Sequence, residues 1–418
     1  MNIGGQIMDK KNGNRILFIN GSIYLPGEQA LKRTFYLFDM MLKKKMDVHF
    51  LTSNFNHYNK KKRNISDFFE AYPEYKNNVS FLDVPEYERN ISYSRFKSNW
   101  IFEKQAKQWL KAHIVDYDII YISLPTLYLV SSIRKICSEN NVKIAIDVND
   151  LWPEAFRVVL KNNFIYKTIT FPMKYFADKG YSCADIIVAV SDEYKNRALL
   201  CNSQCKYTRT VYLGAMIERF DSGVEKYSGF IEKKEDEFWL AYAGTIGASY
   251  DLFTVIKGMK VLYDRGMQNI RFKIFGQGPD EQFLKEYVEK QEIKNVDFMG
   301  FLEYEKMAAY LSKCDVMLNC IKKRASQSII NKISDYYAAG KPILNSCVCD
   351  EMQRMVVDNK VGINYEAESV DEIVNAILKV YNAPEESSRM GSNARSLAEK
   401  DFDRQKTHLA LAEWLEEI

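Results

Sequence analysis

Lys332 and Asp335 stand three residues apart in SIINKISDYYAAGKPILNS, residues 328–346. An ammonium neutralises phosphate charge, and a carboxylate can accept both hydroxyls of a ribose. The apolar run CDVMLNCI (314–321) has strand length, and the polar KKRASQS (322–328) after it predicts a loop leading into a helix. That helix is expected to begin near Asn331, turn Ile333, Tyr336 and Tyr337 inward, and stop at Gly340, with Pro342 barring its continuation. Lys332 and Asp335 then lie at its start, beside backbone N–H groups that lack partners. Helix starts at the carboxyl ends of the strands of an open α/β sheet receive phosphate. Taken alone, Asp335 is equally an acid placed to suit the helix dipole.

Two further strand ends carry glycines. AYAGTIGASYD (241–251) places Gly244, Thr245 and Gly247 after one apolar run, and KIFGQGPDE (273–281) places Gly276 and Gly278 after the next. Glycine permits positive φ and close backbone approach, both useful around a diphosphate. Neither stretch is a GxGxxG fingerprint, because Pro279, Asp280 and Glu281 follow Gly278, so dinucleotide binding is poorly supported. Each alone reads as a turn. In one doubly wound sheet, however, these ends open on a single edge, and a nucleotide diphosphate fits the crevice they would surround. Phe301, Arg324, Ser328 and Asn331 belong to the same set of loops.

The elements that must position these residues are short apolar runs alternating with helical patterns. RILFIN, DVHFLTS, VSFLDVP, DIIYISLP, KIAIDVN, DIIVAVS and TVYLG form a first series, with helices expected over 29–45, 92–113 and 126–140. A polar stretch at 222–237 follows, and then FWLAYAGT, RFKIFGQG, VDFMGF, DVMLNCI, PILNS and GINYEA form a second series. The expected fold is α/β, two tandem Rossmann-like doubly wound parallel-sheet domains. Boundaries are expected at 15–220 and 221–395, after a flexible 1–14 and before a helical tail, 396–418, that packs back on the first domain.

The 418 residues suit two domains, and 47% hydrophobic residues suit packed cores. A net charge of +3 from 58 basic and 55 acidic residues argues against a dedicated nucleic-acid binder. Eight scattered cysteines without a CxxC pair read as free thiols of a reducing compartment, and with four histidines they do not suggest a zinc site. The N-terminus lacks the apolar core of a signal peptide, and no apolar run reaches about 18 residues. A cytoplasmic protein is expected, at most resting on the inner face of a membrane.

SIINKISDYYAAGKPILNS resembles the donor-site segment of GT-B glycosyltransferases of family 4, in which Pro, Lys, Glu or Asp-Tyr and Ala-x-Gly-x-Pro recur. AYAGTIGASYDL, FGQGP, FMGFLEYEKMAAYLSKCDVML and GINYEAESVDEIVNAI follow that family's order. In the first half, IDVNDLWPEAF, CADIIVAVSDEYKNRA and VYLGAMIERFD resemble its surface-polysaccharide branch; together the likeness spans roughly residues 15–415. It implies transfer of a hexosyl unit with retention from a UDP- or GDP-sugar, without a metal, helix amides and basic side chains meeting the phosphate charge. The chain departs from the pattern: Gln327 replaces the first acid of EX7E, Asp335 shortens the second, and Ile330 replaces a proline. The basic pair after the first glycine loop is missing, Lys257 lying mid-helix, so Lys322, Lys323 or Arg324 is expected to substitute. The family's histidine after the fourth strand is also missing, which leaves Asp150 as the polar group for the reaction centre, with Lys332 as its partner in catalysis. Asp150 also suits the N-cap of a helix starting at Leu151 and Pro153, and Glu154 has the same two readings. Gly27, in NGSIYLPGEQALKR, is expected to face the diphosphate.

LKKKMD (42–47), NKKKRN (59–64) and the aromatic, lysine-bearing FIYKTITFPMKYFADKGY (164–181) suggest contact with an anionic membrane, which suits a lipid-linked glycan acceptor. A UDP-N-acetylglucosamine 2-epimerase and a non-catalytic nucleotide-sugar-binding partner are the alternatives.

Overall fold

The apolar runs form two parallel sheets in the computed structural model, which describes residues 13–28, 33–89, 92–154, 162–325 and 329–418. The first contains β1 (Ile16–Ile19), β2 (Val48–Ser53), β5 (Val79–Leu82), β6 (Ile119–Ser123), β7 (Lys143–Val148), β8 (Ile186–Ala189) and β9 (Tyr207–Thr210). Its order is β5-β2-β1-β6-β7-β8-β9. A small hairpin, β3 (Phe55–Asn56) with β4 (Lys61–Lys62), interrupts the series. The second sheet runs β12-β11-β10-β13-β14-β15. Its strands are β10 (Phe238–Ala243), β11 (Ile270–Phe275), β12 (Val296–Gly300), β13 (Val316–Asn319), β14 (Ile343–Asn345) and β15 (Gly362–Asn364).

Helices cover both faces of each sheet, which is why the strands read as unbroken apolar runs rather than alternating ones. In the first sheet, one face packs Leu17, Ile120, Ile144 and Ile187 under Phe102, Ile133 and Tyr181. The other packs Ile16, Phe18 and Tyr121 under Phe35, Phe38 and Leu411. The second sheet is built the same way, with Leu240, Phe272 and Val316 on one face and Ala241, Met317 and Ile343 on the other. Each large aliphatic side chain so enclosed contributes about 1.5–3 kcal/mol, which outweighs the modest helix propensity of segments rich in Tyr and Phe.

The expected helices form as Arg33–Lys43, Tyr93–His113 and Leu127–Glu139, the second capped by Ser92. TVYLG is not a strand. The pairing with β8 uses Tyr207–Thr210; the Val211 N–H still donates to Ala189 O at 2.9 Å, and its carbonyl accepts from Arg33 Nη1 at 2.5 Å. The compact units part between Val211 and Tyr212 rather than near 220. The tail differs similarly. Helix Pro384–Asp401 belongs to the second unit, and only His408–Ile418 counts with the first, where Leu411, Ala412 and Leu415 complete a core.

In both sheets the strand order reverses beside the first strand, between β1 and β6 and between β10 and β13. Ligand crevices open at such switch points, outside the carboxyl ends of the strands.

Candidate functional site

The second unit's switch point is framed by backbone. Gly244 N–H donates to Phe275 O (2.9 Å), Gly276 N–H to Gly300 O (2.7 Å), Ile246 N–H to Gln277 O (3.0 Å) and Lys322 N–H to Ser249 O (3.1 Å). The loops after β10, β11, β12 and β13 are thereby zipped into one rim. Gly276, at φ +125°, is the tightest place: a Cβ there would overlap the Gly244 carbonyl oxygen. A Cβ on Gly244, at φ +145°, would overlap Lys332 Nζ. Glycine is required at Gly276 by conformation and by space, and at Gly244 by conformation. Gly278 approaches Ile246 O in the same way.

Helix Lys332–Ala338 follows, with Asn331 at its N-cap and its apolar face buried through Ile333, Tyr336 and Tyr337. Tyr336 anchors it to the sheet, its Oη accepting from Ala243 N–H at 2.8 Å. Lys332 extends from its first position to Tyr242 Oη at 2.8 Å. Its ammonium lies 4.0 Å from the ring centroid of Tyr242 and 3.8 Å from that of Tyr250, a cation between two aromatic faces. Tyr242 Oη in turn donates to Thr245 O at 2.6 Å. Among the described residues Lys332 has no carboxylate partner. Burial lowers its pKa to about 7. An anion is what this environment lacks.

Asp335, one turn on, accepts from Tyr304 Oη at 2.7 Å through Oδ1. Burial of its carboxyl raises its pKa to about 6, against the hydrogen bond from Tyr304 and the field of Arg404. Phe301 projects from the tip of β12 and is 67% exposed. Of the basic residues after β13, Lys323 pairs with Glu366 at 2.6 Å, whereas exposed Arg324 has no ion-pair partner among the described residues. Lys257 lies inside helix Leu252–Asp264, over the Phe253 ring. Ser328 and Gln327 fall outside the described residues.

The second unit thus gathers Gly244, Thr245, Gly276, Gly278, Phe301, Arg324, Asn331, Lys332 and Asp335 on one sheet edge. Tyr242, Tyr250 and Tyr304 complete it, and sequence reading missed them. Tyr242 had a signal, two residues before Gly244, but a tyrosine in a buried strand reads as core. Missed as well is a ladder across the neighbouring tips: Asn319 Nδ2 donates to Asn345 Oδ1 (2.7 Å) and Asn345 Nδ2 to Asn364 Oδ1 (2.8 Å). It holds β13, β14 and β15 in register beside the rim.

Gly27 and Asp150 belong to the first unit. Gly27 has φ +81° and leaves no room for a Cβ against the Tyr72 hydroxyl. Asp150 lies two residues beyond β7, exposed, its Oδ2 accepting from Trp152 Nε1 at 3.1 Å. Desolvation by the surrounding protein pushes its pKa up, opposed by that bond and the Leu151 N–H. No helix starts at Leu151 for Asp150 to cap: Trp152 and Pro153 form a turn, and Asp150 is engaged by Trp152. Glu154 is an ion-pair partner of Arg197 (2.6 Å), which also holds Asp178. No group of three His, Cys, Asp or Glu able to hold a metal occurs among the described residues.

Known proteins share this construction. Anabaena HepE in complex with UDP superposes with a TM-score of 0.65 at 15% identity, over 97% of this chain and 100% of that one. WaaG, a glycosyltransferase involved in lipopolysaccharide biosynthesis, does so with 0.64 at 14%, over 96% and 99%. The chain has the GT-B fold. Residues 224–397 of this GT-B protein, all within its second unit, match the family described as "Glycosyl transferases group 1". An uncharacterised glycosyltransferase of Methanocaldococcus jannaschii is 24% identical over 240 residues, 56% of this chain, which therefore spans 60% of that relative's length.

Proposed function

We propose that the protein is a retaining hexosyltransferase that moves a sugar from a UDP-sugar to a lipid-linked glycan acceptor in the assembly of a surface polysaccharide. The observation that carries this reading is the Lys332 ammonium, held between two tyrosine rings with no acid beside it among the described residues, on the glycine rim of the switch point. The diphosphate supplies the missing charge there, with Arg324 and the amides of Thr245, Gly278 and their neighbours around it. Asp335 has one oxygen engaged by Tyr304 and presents the other to a ribose hydroxyl. Exposed Phe301 offers a face to the base. UDP as the nucleotide is supported by HepE, which has been solved with UDP and with UDP-glucose, and a polysaccharide role by WaaG.

In the reaction the bond from the sugar's anomeric carbon to the β-phosphate oxygen breaks, and the acceptor oxygen bonds to that carbon on the same face. The acceptor proton passes to the departing phosphate. The protein forms no covalent bond; its work is to stabilise charge growing on the diphosphate, and a metal is not required for that. Asp150 is assigned to the sugar and acceptor side, orienting the attacking hydroxyl. Asp150→Asn is expected to lower turnover while leaving UDP affinity unchanged.

Incubation with UDP-sugars, with and without lipid-linked acceptors, tests the assignment. Release of UDP only when acceptor is present supports it; C2 inversion without acceptor identifies an epimerase, and tight binding without turnover a non-catalytic partner.

A further inference from the structure

The two lysine runs in the first unit do not form one patch. LKKKMD precedes β2 and NKKKRN follows it, so they lie at opposite edges of the sheet, and strand β2 has six residues, about 20 Å at 3.3 Å each. The second run is also largely spent. Arg63 is held by Glu28 and three backbone carbonyls, Lys62 by Asp83, and Lys60 by the His57 carbonyl.

A different surface of the same unit carries exposed lysines beside exposed apolar area. Helices Tyr93–His113, Leu127–Glu139 and Asn163–Ser182 form the layer over one sheet face, each starting at the edge where the strands end. The first buries Ser98, Phe102, Ala106 and Leu110 and turns Tyr93, Phe96, Lys97, Trp100, Lys104 and Lys111 to solvent. Exposure along its aromatic stripe runs from 49% at Trp100 to 80% at Tyr93. Its five Lys and Arg residues face a single acid, Glu103, which is buried and takes the N–H groups of Tyr128 and Leu129. That contact fixes the first helix to the start of the second.

The third helix, of 20 residues, buries Tyr166, Thr170, Ala177 and Tyr181 along one side. Phe176 meets Tyr128 edge to face, and Phe164, Phe171 and Tyr175 stay exposed beside Lys167, while Lys174 is paired with Asp178 at 2.6 Å. Two helices thus present aromatics and lysines from one layer. Apolar area of this kind is costly in water, and the lysines match a negatively charged surface.

We infer that the outer face of helices Tyr93–His113 and Asn163–Ser182 docks on an anionic lipid bilayer, the aromatics entering the headgroup region and Lys97, Lys104 and Lys167 meeting lipid phosphate. The inference deepens the lipid-linked acceptor reading by naming the surface that brings the first unit to its substrate. Its test needs no sugar nucleotide, so the two can fail separately.

The full chain is sedimented with vesicles of phosphatidylglycerol and phosphatidylethanolamine, and with phosphatidylcholine alone. Partition onto the anionic vesicles is expected, falling about fivefold for each of Lys97→Gln and Lys104→Gln and weakening in high salt. Phe96→Ser with Trp100→Ser, and separately Phe164→Ser with Phe171→Ser, should each lower it at least tenfold at unchanged melting temperature. Wild-type protein left in the supernatant with both vesicle types, or aromatic variants that partition like wild type, would overturn the inference.

Discussion

The two sheets end in differently balanced edges. In the first unit the buried cations are matched: Arg33 lies 3.0 Å from Asp147, Arg63 2.6 Å from Glu28, and Arg197 2.6 Å from both Glu154 and Asp178. At the second unit's rim Lys332 meets, among the described residues, a phenol and ring faces but no carboxylate. Matched charges hold a fold together; an unmatched one is retained where a ligand will complete it. The contrast separates charges that pair within the fold from one that, among the described residues, has no carboxylate beside it.

The largest effect should come from breaking a matched pair. Arg33→Ala leaves Asp147 buried and unpaired, at a cost of about 3–5 kcal/mol. A lower denaturation midpoint with UDP affinity preserved in the protein that remains folded is expected; an unaltered midpoint would erase the distinction between the edges. Lys332→Met should act oppositely. Loss of a charge-assisted contact of about 1.5–3 kcal/mol weakens UDP by about 10–100-fold in calorimetry, while the melting temperature holds or rises because a desolvated cation has gone.

pH sharpens the comparison further. Burial lowers the Lys332 pKa to about 7, so the protonated fraction falls about tenfold per unit above that value. UDP affinity should decline accordingly between pH 7 and 9, and lose that slope in Lys332→Met. Linkage gives the sign for the free protein. Between pH 7 and the ordinary lysine value near 10.4, the unfolded chain binds more protons at this position, so its contribution to stability rises with pH. Smallest should be Asp335→Asn, which keeps the shape and the Tyr304 contact but weakens a charged hydrogen bond to ribose, about tenfold or less in affinity. UDP affinity in that variant equal to wild type would place the ribose elsewhere.

Much of the second unit's glycine rim was legible because it is written in local chemistry. Gly244 and Gly276 mark backbone that approaches backbone, and Lys332 and Asp335 fall at a helix start framed by the loop before and Gly340 after. Less legible were partners distant in sequence. Tyr304 reaches Asp335 across 31 residues and Tyr242 reaches Lys332 across 90, and nothing in either tyrosine's neighbours distinguishes such contacts from core packing. The lysine runs misled for a related reason: composition counts charges but cannot show that Arg63 is occupied by Glu28. Asp150 likewise took its turn conformation and its Trp152 partner from a segment that a proline pattern had marked as helical.

Apolar periodicity, turn residues and helix stops settled the alternation of strands and helices and hence the two doubly wound sheets, since those preferences act over a few residues and need no knowledge of the rest. Folding alone decided which charges meet. Desolvation and ion pairing depend on what lies within a few ångströms in space, and in this chain those neighbours come from strands and helices dozens to hundreds of residues apart.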